Sequence, residues 1–126
     1  MPYKIMMSIV CIVPLIFSLA FVAIPEFFVL QWYPSAEGLA LEIAITHRYD
    51  MAGMLFMVVC FAFLSRNVEG VDNQKAILLG AAIAFSAMCA VIISIALFRG
   101  IPLDIPPMIA TGTIAALSFW SRLKLS

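Results

Sequence analysis

Long apolar runs alternate with short polar breaks along this chain, and the runs predict helices that cross a bilayer. Uncharged residues continue from Ile5 to Pro25, from Ala76 to Phe98 and from Ile105 to Ser121, over 21, 23 and 17 residues. A helix needs roughly 17–25 apolar residues to cross the hydrocarbon core, so each run qualifies as a span. Another span, second in chain order, is shorter. Met51 to Ser65 gives 15 uncharged residues, and only a start at His47 extends it to 19. The pattern predicts spans over about 4–30, 43–66, 75–98 and 104–123 within a single transmembrane domain over 1–126. The stretch SAEGLALEIAIT ahead of the second span has apolar residues at helical intervals. It either extends that helix outward or lies on the membrane surface. Pro106 and Pro107 suit the first turn of the last helix, with Asp104 before them as the expected N-cap. The short polar segment Asn67 to Gln74 reads as a hairpin loop. The predicted fold class is all-α: a polytopic integral membrane four-helix bundle, antiparallel and up-down.

Composition points to the same solvent. Apolar residues make up 65% of the 126 and charged residues 11%, against about 25% charged in soluble domains. A water-soluble fold this small leaves too much surface exposed to hide that many apolar side chains. Net charge is zero, so there is no basic patch for nucleic acid or anionic lipid. Cys11, Cys60 and Cys89 sit inside apolar runs without metal-binding spacing, and read as small hydrophobes. The N-terminus has one lysine, an apolar run and a poor cleavage site at Ser18-Leu19-Ala20, so it reads as a retained span rather than a signal peptide.

The basic residues set the orientation. Lys4, Arg66, Lys75, Arg122 and Lys124 fall on the side of the termini, and only Arg48 and Arg99 on the other. Both termini are therefore expected in the cytoplasm. Trp32, Tyr33 and Tyr49 at the outer edge, and Trp120 at the inner, fit interfacial belts. Small residues recur every four positions at Ala76, Gly80 and Ala84, at Ser86, Ala90 and Ser94, and at Gly112 and Ala116. That spacing lets helices approach closely in lipid, within the bundle or between copies.

The chemistry-bearing residues concentrate in ITHRYDMAGM, residues 45–54, at the mouth of the second span. His47 shares a helix face with Asp50 and Met51, whereas Arg48 has no acid three or four positions away. A charge near lipid needs a partner, so Arg48 is expected to pair across the bundle with Asp104 first and Glu26 second. Two readings stay open. The groups are interfacial anchors and structural pairs, or His47, Arg48, Asp50 and Asp104 form an outward-facing ligand site. A transmembrane proton relay through His47 lacks further acids in the other spans. His47, Met51 and Met54 form an HxxxMxxM pattern whose donors suit copper, but the chain has eight methionines and such a stripe normally packs. Haem held by two histidines is excluded within one chain, because His47 stands alone. No GxSxG, HExxH or phosphate loop is present, and no catalytic residue or cofactor is assigned.

In its first span closing at Pro25-Glu26, its second opening with Arg48…Gly53 and that span's end at Arg66, the chain resembles small bacterial inner-membrane proteins of DoxX-like type. The resemblance is topological and covers most of the length. It implies a multi-pass four-helix bundle in the bacterial inner membrane. DoxX-like proteins are associated with redox complexes, which favours an accessory role. The expected function is therefore non-enzymatic: an integral-membrane structural or accessory subunit in a homo-oligomer or larger membrane complex. The alternative is a small transporter or binding protein for a lipid or quinone.

Overall fold

A computed structural model describes all 126 residues of the chain, which form five helices and no strand. They are α1 (Tyr3–Ala23), α2 (Pro25–Trp32), α3 (Gly38–Ser65), α4 (Val71–Arg99) and α5 (Ile105–Lys124). Three of them, α1, α3 and α4, are long and apolar enough to cross a membrane. α5 runs 20 residues, about 30 Å at 1.5 Å per residue. Its prolines, hydroxyl residues and terminal charges make it less apolar.

The expected first span over 4–30 is broken. Ile24 leaves the helical region at φ −136° and ψ 53°, because a residue followed by proline is crowded out of the α conformation. Pro25 then opens α2, where its missing N–H costs nothing, with Glu26 in the favourable first turn. The second expected span grows instead. SAEGLALEIAIT joins α3 from Gly38 on, giving 28 residues, about 42 Å and well beyond a core of about 30 Å. α4 ends at Gly100, whose φ of 64° closes the helix through Gly100 N–H on the Ala96 carbonyl at 3.1 Å. Only a residue without a Cβ adopts that turn freely.

Packing follows two pairs. α1 lies along α3, and α4 along α5; α1 also meets α5 and α2, and α2 meets α3. α3 and α4, though consecutive, have no contact of that extent. The α1·α3 seam carries three hydrogen bonds from side chains to backbone carbonyls. Tyr3 OH donates to Ser65 O at 2.8 Å, Cys11 Sγ to Val59 O at 3.8 Å and Ser18 Oγ to Ala52 O at 2.8 Å. The donors ascend α1 as the acceptors descend α3, so the two helices run in opposite directions. Spacings of eight and seven residues keep the donors on one face.

The core gathers at the end that holds both termini. There Tyr3, Met6, Met7 and Val10 meet Ala62, Leu78, Phe85, Ile114 and Ala115. Only 21 of 126 residues are buried, and Ile16, Leu19, Phe61, Leu64, Leu97 and Phe98 stand exposed. That surface is stable only against lipid or protein. At the opposite, distal end lie α2, the first turns of α3 and the link from Gly100 to Asp104.

Candidate functional site at the distal end

Arg48 and Asp104, both charged, are buried at 5% and 6% exposure. The buried positions of α3 are Arg48, Ala52, Val59 and Ala62, a stripe at helical spacing that faces α1. Arg48 lies on this stripe, so its guanidinium is carried inward. Its charge sits 5.2 Å from the Phe21 ring of α1 and 4.8 Å from the Trp32 ring of α2. Both are cation–π distances. It donates to the Phe28 carbonyl of α2 at 3.4 Å and to Met51 Sδ at 3.8 Å. Arg48 therefore adds to the packing that ties α2 to the body of the protein. Phe21, Phe27 and Phe28 extend the aromatic wall through edge-on contacts.

Asp104 occupies the N-cap position of α5, but its side chain caps nothing. The local sequence explains why. An N-cap side chain accepts from the N–H of the second or third helical residue, and here these are Pro106 and Pro107, which have none. Only the Asp104 backbone carbonyl serves the helix, accepting from Met108 N–H at 3.2 Å. The carboxylate turns inward, towards Arg48. The two interact electrostatically, yet no N···O distance reaches 4.0 Å, since the one ion pair of that length in the chain is His47–Asp50. The Trp32 indole N–H is buried beside the carboxylate and meets no acceptor at full hydrogen-bond geometry.

The structure splits the four residues of the expected ligand site. His47 precedes Arg48 by one residue, a rotation of about 100°, and leaves the buried face. His47 and Asp50 have side chains 83% and 66% exposed, with Nδ1 and Oδ2 at 3.7 Å. They belong to the outer surface of α3, beside an open groove of about 330 Å³ lined by Leu39, Glu42, Ile43, Thr46 and His47. Arg48 and Asp104 belong to the interior. Glu26, the second choice for Arg48, is exposed in α2 and forms no ion pair. The HxxxMxxM set does not converge either: Met51 sulfur faces the Arg48 cation and Met54 is 67% exposed. No cluster of three His, Cys, Asp or Glu side chains is placed to hold a metal ion.

The sequence reading missed the aromatic partners of Arg48. Trp32 and Tyr33 read as an interfacial belt, but Trp32 covers the guanidinium. The break at Ile24-Pro25 was the available signal, because a turn there folds the aromatic segment PEFFVLQW back over the mouth of α3.

A second built feature lies between α4 and α5. An open apolar groove of about 700 Å³ runs along this pair, floored by small residues including Ser86, Cys89, Ala90, Gly112, Ala115 and Ala116. Cys89 Sγ donates to the Met108 carbonyl across it at 3.7 Å. Gly112 and Ala116, with Ser86 and Ala90 of a second repeat, therefore line this groove, and the third repeat, Ala76, Gly80 and Ala84, lies exposed on α4. No family model, curated protein or solved structure matches the chain.

Proposed function

We propose that the protein is a non-enzymatic subunit of the bacterial inner membrane, a four-helix antiparallel bundle with both termini cytoplasmic, packing with its own copies or in a larger complex. The observation that carries this reading is the open small-residue groove on the α4–α5 pair. In lipid, small side chains are where a further helix approaches closely enough for dispersion and weak hydrogen bonds to hold it. The buried Arg48 and Asp104 keep the distal end in shape, and His47 and Asp50 anchor α3 at the interface. The likeness to DoxX-like proteins points to the same accessory role.

Purification from the native membrane in mild detergent tests it. The expected result is a fixed stoichiometric partner or a defined oligomer, lost when Gly112 and Ala116 are both replaced by leucine. A lone monomer that is indifferent to those substitutions overturns it. The alternative reading puts a lipid or quinone in the same groove. It requires a lipid or quinone that co-purifies stoichiometrically and is released by the leucine substitutions without a change in oligomeric state.

A further inference from the structure

We propose that the outward face of α3 is where a second copy of this chain docks, the two α3 helices lying parallel as a two-stranded coiled coil. The burial pattern of the helix points there first. Written in heptads with Leu39 at d, every residue from Leu39 to Ser65 at a, d, e and g is exposed, and every residue at b, c and f is buried or half-buried. A seven-residue period without a slip keeps one face turned to one neighbour along a whole helix. Arg48, Ala52, Val59 and Ala62, at c and f, lie on the side that α1 covers. The opposite side has the same period and stays open. Lipid accounts for only part of it. α3 is about 42 Å long, so its first turns reach past a hydrocarbon core of about 30 Å. Leu39 and Ile43 stand exposed on those turns, where protein rather than lipid covers apolar side chains.

Two features of the open face select a second copy. Gly53 and Cys60, both at d, keep the centre of the face narrow where it runs through lipid, which lets another helix approach. A Cβ added to Gly53 would meet nothing within 4 Å. Nothing inside the chain therefore requires glycine there, although glycine weakens a helix. Charge is the other feature. In a parallel pair, g of one helix faces e of the other five residues on. Glu42 at g and His47 at e thus meet on both edges of the pair, and the face is complementary to itself. These two residues, with Leu39, Ile43 and Thr46, already line one open groove. Asp50, at a, meets its counterpart, and each carboxylate keeps its own His47, Nδ1 to Oδ2, at 3.7 Å. One polar residue at such a position costs stability but fixes register and strand number. Copies inserted the same way in one bilayer run parallel, so Gly53 meets Gly53 and Cys60 meets Cys60. Assembly of copies is the subunit reading given above; the face used here is separate from the α4–α5 groove.

Cysteine cross-linking in native membranes tests the interface. Oxidation with copper–phenanthroline should join two copies through Cys60, which is exposed, and Cys60→Ser should abolish the covalent dimer. In the Cys60→Ser background, Gly53→Cys, Met57→Cys and Leu64→Cys should restore it, whereas Leu55→Cys and Val58→Cys should not. Gly53→Leu should leave the monomer folded, because its site is open, and should lose most of the Cys60 cross-link. No covalent dimer through Cys60, equal cross-linking at all five introduced positions, an adduct of Cys60 with a different protein, or a dimer that Gly53→Leu leaves intact would each overturn the α3 interface. Where any of these comes with an oligomer that still dissociates when Gly112 and Ala116 are replaced by leucine, the subunit reading stands and the α3 interface alone falls.

Discussion

The two buried charges are not equivalent, and a double-mutant cycle on them measures the difference. Arg48→Ala removes two cation–π contacts, about 0.5–2 kcal/mol each depending on desolvation. It also removes the bond to Phe28 O and strands an ionised carboxylate. Breaking a buried pair from one side costs about 3–5 kcal/mol, and a loss of that size is expected at pH 7.5. Asp104→Asn keeps the shape and removes only the carboxylate charge. Arg48 retains its aromatic faces and carbonyl, so this single change is expected to be neutral or slightly stabilising. Two unit charges more than 4 Å apart at an effective dielectric near 20 attract by less than about 4 kcal/mol. The double variant should therefore recover roughly 1–3 kcal/mol of the Arg48→Ala loss. Equilibrium unfolding in mixed detergent and denaturant, on all four proteins at one pH, gives the cycle. Two results would refute the reasoning. If Asp104→Asn alone costs as much as Arg48→Ala, the two groups form a direct ion pair. If the double variant recovers nothing, their charges do not communicate.

Further outcomes follow from the same geometry. Ser18→Ala removes the buried bond to Ala52 O and should cost about 0.6–1.5 kcal/mol in detergent unfolding. Tyr3→Phe should cost a similar amount, and the pair should add to within about 0.5 kcal/mol because the sites are far apart. A shortfall in both would mean that the α1·α3 seam is held by shape alone. Metal analysis of the purified protein should find no stoichiometric copper, because Met51 already faces the Arg48 cation. A stoichiometric copper ion lost with His47→Ala would refute that.

Most of the helical content was legible, since runs such as Ile5–Pro25 and Ala76–Phe98 leave no other structure that satisfies the backbone in lipid. The division of the charged turn was legible in principle. Arg48 lies in phase with Ala52, Val59 and Ala62, whereas His47 and Asp50 do not. What hid it was treating four nearby ionisable residues as one site before assigning the helix a buried face. Asp104 holds the expected N-cap position of α5, but its side chain does not cap: Pro106 and Pro107 fit a helix start, and the same residues delete the donors a cap needs. The pairing of α1 with α3 and α4 with α5 was beyond reach. Tyr3, Cys11 and Ser18 look ordinary one at a time, and nothing in an apolar run names the carbonyl each will meet.

The three rungs between Tyr3, Cys11 and Ser18 and their carbonyls on α3 bear on how the molecule is made. Everything they join has been synthesised once Ser65 is translated, before α4 exists. The first half can zip shut during synthesis, and the second half, α4 with α5, carries its own seam. Assembly then finishes with two prefabricated hairpins docking, and a nick in the turn between Asn67 and Gly70 should leave fragments that still reunite in one bilayer.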